Sequence, residues 1–497
     1  VNVAALIAPH PPDTVALISR GKSFTYGELR DHVARLAGGL VGVGVCPGDR
    51  VGVACGNNAN YVVSFLAALH AGAIAVPLNP TAPGPELTHQ LARAGVKVLI
   101  VGPSATAVVA ELDRDELAEL DTVVALRPTD IDDAVAYDVL AAAEPIALVE
   151  REANDPAVLM FTSGTVGVPR AATLTHANLL ANLDQIQAHP GRSQRADDVV
   201  LGVLPLFHIF GLNVVLGLTF LSGSRVVLVE RFDPTSALEA IVRHGITVVI
   251  GAPTMYAAWA SLPDADLRAF ASVRIATSGA AKLAVEVAQR FEDRFDVHIA
   301  EGYGLTEAGP VLTVSSGTDA PFGSIGPPLP GVELRLVDGD GDDVLLGDSG
   351  ELWARGPNVF AGYWNDPEAT AAALTADGWL RTGDVAVMDD DGYVYLVDRA
   401  KDLIIVSGFN VFPAEVEEVL ARHPAVAGCA VVGVAHPYTG EAVKAFVVLA
   451  PDRSADEDEL AAWCAQHLAR YKCPSKVMFV DELPTGSSGK VLRRALH

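Results

Sequence analysis

The sequence predicts an α/β protein, and three observations carry that prediction. Short apolar runs alternate with helically spaced apolar residues twice along the chain, over 24–101 and again over 226–304. Such alternation implies parallel sheets with helices on both faces. From about 323 to 397 the texture changes to short alternating strands with Gly and Asp turns, which fits a small β-barrel-like subdomain. The remaining C-terminal stretch mixes both patterns in a compact α+β unit. Of 497 residues, 50% are hydrophobic and only 19% charged, so the chain can bury more than one core and is not disordered.

In order, Thr25-Tyr26-Gly27-Glu28 opens a helix whose Leu29, Val33, Leu36 and Leu40 fall at helical spacing. Residues 51–55 read as a buried strand, 61–70 as a helix, 74–78 as a strand, 86–94 as a helix and 96–101 as a strand. Residues 102–150 are rich in Ala, Asp and Glu and carry weak helices. The second series runs strand 226–229, helix 235–244, strands 248–250 and 274–277, helix 283–295 and strand 297–300. Ligands of open α/β sheets sit beyond the carboxyl ends of the strands. Loops 162–170, 205–211, 278–281 and 302–307 are therefore expected around one cleft.

The stretch 199–221 is long and apolar enough to be weighed as a membrane span. Pro205, His208 and three glycines interrupt it, so it reads as a loop plus a buried helix, and no integral membrane span is expected. Strands are expected at 333–337, 350–355 and 393–397. The acidic run 338–343 lacks the Gly and Glu of a calcium loop and reads as a solvated turn. Near the end, 416–420 is helical and 426–434 and 443–449 are strands. Ser454 with Glu457 reads as a capping box. It opens a helix with Leu460, Trp463, Cys464, His467 and Leu468 on one face, which makes His467 a core or boundary residue.

A net charge of −26 argues against sequence-independent nucleic-acid binding and requires any phosphate site to be built locally. Five cysteines without a Cys-x-x-Cys pair fit reduced thiols and a cytoplasmic setting. Residues 1–13 lack the basic region and cleavage site of a signal peptide.

The chemistry concentrates at 159–176, LMFTSGTVGVPRAATLTH. An apolar run ends in Thr162, Ser163, Gly164 and Thr165, followed by Gly167, Pro169 and Arg170. Small residues let backbone N–H groups converge on an anion, hydroxyls add donors and Arg170 adds a cation suited to phosphate. No Gly-Lys-Ser/Thr follows, so this is not the kinase-type phosphate loop. It resembles, almost residue for residue, the phosphate-binding loop of the adenylate-forming superfamily: acyl-CoA synthetases, luciferases and peptide-synthetase adenylation domains. The likeness is greatest to a fatty-acid or aryl-acid CoA ligase. Val166 replaces the usual second hydroxyl residue and Arg170 the usual Lys.

The resemblance continues through Tyr303-Gly304-Leu305-Thr306-Glu307, Trp379-Leu380-Arg381-Thr382-Gly383-Asp384, Asp398-Arg399-Ala400-Lys401-Asp402 and a C-terminal Gly489-Lys490. It implies a large N-terminal domain of two stacked α/β sheet subdomains plus the barrel-like subdomain (1–398), a hinge at 399–402 centred on Lys401, and a small mobile α+β C-terminal domain (403–497). It also implies roles. ATP would be held by the 162–170 loop, with Gly279, Ala280 and Ala281 bordering the base and Gly302 and Gly304 also binding the nucleotide. Tyr303 would stack on adenine, Thr306 touch the α-phosphate and Glu307 bind Mg2+. Asp384 would take the ribose hydroxyls, helped by Arg399. Lys490 would be the catalytic lysine, on a loop loosened by Gly486 where Thr is customary. After adenylation the small domain would rotate, withdraw Lys490 and bring Gly408 against the acyl adenylate, opening a tunnel for coenzyme A.

These residue types suit the reaction. A carboxylate attacking the α-phosphate meets anion with anion, so the site needs a cation there, a metal on the leaving pyrophosphate and donors along the phosphates. The resemblance implies an acyl pocket between the segments 208–212, 252–256 and 279–305, which are small and apolar here, with His208 as a gate. Lys282, where Pro is common, reads as solvent-exposed at a helix start. A hydrophobic acid without a distal charge is expected, a fatty acid before an aromatic one. Three functions remain open: an acid–thiol ligase making acyl-CoA, an acyl-AMP ligase loading an acyl carrier protein, and a nucleotide-binding regulator that has lost catalysis.

Overall fold

The first long helix shows how local chemistry sets the architecture. Thr25 caps Tyr26–Gly42: its hydroxyl accepts from the Glu28 N–H (3.1 Å) while the Glu28 carboxylate accepts from the Thr25 N–H (2.8 Å). Leu29, Val33, Leu36 and Leu40 then fall on one fully buried stripe. This computed structural model describes residues 1–497 except 163–168, 192, 264, 282, 284, 339–340, 400–403, 412, 452, 485–495 and 497. For 349, 397–399, 410, 414 and 418 the backbone alone is described.

Among the described residues, two eight-stranded sheets form the large domain. One places Pro156–Thr162, Ile74–Pro77, Arg50–Ala54 and Val96–Val101 side by side in that order. It is extended at one edge by Thr122–Ala125 and Val135–Ala136, drawn from the stretch whose sequence reads only as weak helices. The other runs Val311–Val314, Ile299–Gly304, Ile275–Ser278, Val248–Gly251, Val199–Gly202 and Arg225–Leu228. It ends on the N-terminal hairpin Val15–Ser19/Lys22–Thr25. Their interiors are parallel and read as near-continuous Val/Ile/Leu/Ala runs, as strands buried on both faces must. The two sheets share one continuous core, so they stack as expected.

The barrel-like subdomain is a four-stranded antiparallel sheet of Glu333–Val337, Ser349–Arg355, Leu380–Met388 and Val394–Arg399. The small domain is a five-stranded sheet with the helices Pro413–Ala421 and Glu457–His467 on its own core.

The structure adds detail at two places and corrects a third. The segment 170–175 is a strand: Arg170–Thr175 returns antiparallel to Pro156–Thr162, so the glycine-rich stretch joins the two arms of a hairpin. The segment 199–221 divides into the strand Val199–Gly202 and a helix that opens with a π-helical stretch, Phe210–Gly217. No described helix is long and apolar enough to cross a membrane. Finally, the cap of Glu457–His467 is Asp456, whose carboxylate accepts from the Glu459 N–H (2.8 Å), and not Ser454. The Glu457 carboxylate that a Ser454 box would need accepts instead from the Val477 N–H (2.9 Å). His467 lies at the core boundary, its ring 4.6 Å from that of Trp463.

Candidate active site

The loops converge as the strand order dictates. Thr162 ends its strand, half-buried, and Arg170 begins the return strand. Arg170 Nε lies 3.6 Å from Asp366 Oδ2, and its guanidinium sits 5.6 Å from the Tyr363 ring centre. Ser163, Gly164, Thr165, Val166 and Gly167 lie outside the described residues.

Beyond Ile275–Ser278, the Gly279 N–H donates to Gly251 O (3.1 Å). A Cβ on Gly279 would stand 2.9 Å from the Phe210 ring, so only glycine lets that aromatic approach. Ala280 adopts φ +69°, an uncommon left-handed conformation for a side-chain-bearing residue, and Ala281 is half-buried beside it. Lys282 is outside the described residues. Gly302, Tyr303 and Gly304 lie on Ile299–Gly304, which pairs with Val311–Val314. A Cβ on Gly304 would meet Pro310 O at 1.9 Å, which rules out any side chain without moving the backbone.

Two hydroxyl–carboxylate pairs organise the centre. Tyr303 Oη donates to Asp384 Oδ2 (2.7 Å), both residues being buried. Tyr363 Oη donates to Glu307 Oε1 (2.7 Å). Burial raises the Glu307 carboxyl above its ordinary range; the Tyr363 bond opposes that and nearby Asp384 adds to it. Burial and then the Glu307 carboxylate hold the Tyr363 phenol strongly up, so it stays a donor. Asp384 lies opposite Arg399 across two strands, at the hinge-side end of the barrel-like sheet. Of Arg399 only the backbone is described, and Lys401 lies outside the described residues.

From the small domain, the hairpin Ile404–Val406/Phe409–Val411 projects into this cleft. Its turn uses left-handed backbone at Ser407 (φ +52°) and Gly408 (φ +83°). A Cβ on Gly408 would lie 3.4 Å from the Ala280 Cβ and 3.7 Å from the Ala252 Cβ. Phe409 meets His208 edge-to-face at 6.3 Å and stacks on Tyr471 at 4.5 Å. Together with Thr162, Thr306 and Phe207 these residues line a cavity of ≈ 90 Å³ between the domains. His208 Nδ1 accepts from the Phe210 N–H (3.3 Å), and burial pulls its pKa down to about 4, leaving a neutral ring. Cys473 stands at the same interface, half-buried, its thiol directed at Ala469 O (3.6 Å). Lys490 and Gly486 lie outside the described residues.

Thus the fold brings Thr162, Arg170, His208, Gly279–Ala281, Tyr303, Thr306, Glu307, Asp384 and Gly408 to one cleft. Tyr363 and Asp366 escape a reading of the sequence. The signal was the aromatic pair Tyr363-Trp364 ahead of an acidic turn, but nothing local ties it to Glu307. The donor set also fits a nucleotide-bound Mg2+. That ion takes one or two carboxylates together with phosphate oxygens rather than a full protein cage. Glu307 offers such a carboxylate, and the described residues contain no cluster of three ligating side chains.

Comparison with known proteins agrees with this geometry. The family profile described as AMP-binding enzyme matches residues 5–364, and that of the AMP-binding enzyme C-terminal domain matches 415–490. A feruloyl-CoA synthase of Amycolatopsis sp is 41% identical, covering 97% of this chain and 95% of the relative. A long-chain-fatty-acid–CoA ligase of Yersinia pestis is 37% identical, covering 98% and 91%. The solved structure of the amide bond synthetase McbA from Marinactinospora thermotolerans superposes with a TM-score of 0.90 at 32% identity, covering 100% of this chain and 99% of that one.

Proposed function

Because this chain belongs to the AMP-binding enzyme family, the adenylate-forming superfamily that includes acyl-CoA ligases, we propose that it activates a hydrophobic carboxylic acid with ATP and passes the acyl group to coenzyme A. In the first step a carboxylate oxygen attacks the α-phosphorus and pyrophosphate leaves. In the second the thiol sulfur attacks the acyl carbonyl, AMP leaves and the thiol proton is released.

The 162–170 loop and Arg170 hold the phosphates. Tyr303 covers the base, and Asp384 accepts from the ribose while Tyr303 Oη steadies it. Thr306 donates to the α-phosphate, and Lys490, carried in by the small domain, neutralises the charge that builds there. Glu307, aimed by Tyr363, would hold Mg2+, which when bound draws charge from the departing pyrophosphate. We place the hinge at 399–402, between domains 1–398 and 403–497. The observation that carries the reading is the Gly408 turn seated against Ala280 within reach of Thr306 and His208. That placement suits delivery of a thiol to an adenylate already made.

The acid is an apolar one. Among the described residues, Phe210 against Gly279 and the small Ala252, Ala280 and Ala281 offer no cation for a second carboxylate, and Lys282 lies outside the described residues. The relatives include a feruloyl-CoA synthase and a long-chain-fatty-acid–CoA ligase; a medium- or long-chain fatty acid is the preferred substrate, and aromatic acids are the second arm of the test. The test is pyrophosphate release with a panel of fatty and hydroxycinnamic-type acids, with and without coenzyme A. Release with acyl-CoA formation is expected. No release with any acid means a regulator without catalysis. An acyl-AMP that accumulates despite coenzyme A means a carrier-protein or amine acceptor.

A further inference from the structure

At the domain interface, with Glu86 and Lys472 on the wall of the cavity described above, lies a buried ion triad that the steps above do not use. Lys472 of the small domain is 3% exposed, Glu415 of the small domain 6% and Glu86 of the large domain 9%. Lys472 Nζ lies 2.8 Å from Glu415 Oε1 and 3.5 Å from Glu86 Oε1. The other Glu86 oxygen accepts from the Ala469 N–H (3.2 Å), and Gln90 Nε2 donates to Glu86 Oε1 (3.2 Å). Burial alone would lower the Lys472 pKa, but Tyr471, Glu415 and Glu86 beside it outweigh burial and raise it, so the ammonium persists at working pH.

The division of the triad between domains is informative. Glu415, on Pro413–Ala421, holds Lys472 within the small domain, so the ammonium is preorganised before docking. Glu86, on the large-domain helix Gly84–Ala94, completes the set only when the domains meet in this arrangement. Buried charge pairs of this kind select one geometry more than they add affinity. The triad is also wired to the cleft. Tyr471 adjoins Lys472 and stacks on Phe409 (4.5 Å, 27° between planes), and Phe409 meets His208 and flanks the Gly408 turn.

We infer that the Glu86–Lys472 contact is a positioning latch that sets the small domain, through Tyr471 and Phe409, for the thiol-transfer step. The inference rests on the two-step reading above. It makes Glu86 and Lys472 positioning residues for one half-reaction and predicts no part for them in the other.

The test is Glu86→Gln, which keeps the shape and an acceptor for Ala469 but removes the charge. Thioester formation from supplied acyl adenylate at saturating coenzyme A should fall about tenfold, as expected when a buried charge loses its partner. The KM for coenzyme A should not move, and pyrophosphate release should stay within about twofold. Glu86→Lys, which opposes two cations, should fall further. Hydrogen exchange gives a readout free of activity: the Ala469 amide should exchange faster in both variants while the core of Ile404–Leu468 keeps its protection. Equal loss in both half-reactions, a change confined to the KM for coenzyme A, or unchanged Ala469 exchange would each overturn the latch. Absence of pyrophosphate release in the wild type would instead overturn the proposed function, and the exchange arm still decides the latch.

Discussion

Two hairpins face the same cleft, and they are held in opposite ways. The first, Pro156–Thr162 with Arg170–Thr175, sits inside an eight-stranded sheet; Ala157, Val158 and Leu159 are fully buried. The second, Ile404–Val406 with Phe409–Val411, belongs to the small domain. It meets the large one through a glycine turn, the edge-to-face contact of Phe409 with His208 and a polar triad. Apolar burial over a whole strand fixes a position at all times, because undoing it exposes a core. Contacts that are few, directional and polar can be made and unmade as a set. The first hairpin therefore suits binding the nucleotide throughout, and the second suits a task performed only part of the time.

That contrast can be broken by separating the half-reactions. The largest effect is expected on the fixed side. Glu307→Gln keeps the bond from Tyr363 but removes the charge, and should lower pyrophosphate release about a hundredfold, in line with loss of one electrostatic group in an enclosed site. Thioester formation from supplied acyl adenylate should barely change; loss of both would merge the two roles. On the movable side, Gly408→Ala puts a side chain at φ +83° and into contact with Ala280. A left-handed L-residue costs about 1–2 kcal/mol, or about tenfold in rate if it falls on the thiol step. Stopped-flow release of AMP should show that loss while pyrophosphate release holds.

The smallest effect concerns the base of the fixed hairpin. His176, the residue after Arg170–Thr175, is buried and accepts from the Val3 N–H through Nδ1 (3.1 Å). Burial, with Arg151 and the N-terminus nearby against Asp155, pulls its pKa from 6.5 to about 4. Its contribution is complete above the unfolded value near 6.5 and is lost as pH falls through 4. His208 acts in the same direction. Thermal unfolding should show Tm dropping across this window, and dropping less in His176→Asn. An equal drop in that variant would remove His176 from the account.

Most of the architecture was legible because it depends on near neighbours. Thr25 with Glu28, and the stripe Leu29, Val33, Leu36 and Leu40, announce a capped amphipathic helix without tertiary information. The cleft was legible for a different reason: glycines at 279 and 304 stand where backbone must pass close to ring or backbone and Gly408 takes a left-handed turn, and those demands survive in the residue type. Partnerships across the chain were not. Tyr363 reaches Glu307 over 56 residues, and Lys472 reaches Glu86 over 386, with nothing in either local sequence to announce the other. Ser454 reads as the cap by its spacing to Glu457, but Val477 claims Glu457 from another strand and Asp456 caps the helix instead.

Cys473 carries a last consequence. An acyl adenylate is a mixed anhydride that any nearby thiolate could open, and this sulfur stands beside Lys472 at the domain interface. Burial pushes its pKa up to about 11, above the ordinary thiol. At neutral pH on the order of one molecule in ten thousand then carries the anion. A sulfur that keeps its proton at this interface is a poor nucleophile toward such an acylating agent, and the chain is spared labelling itself there.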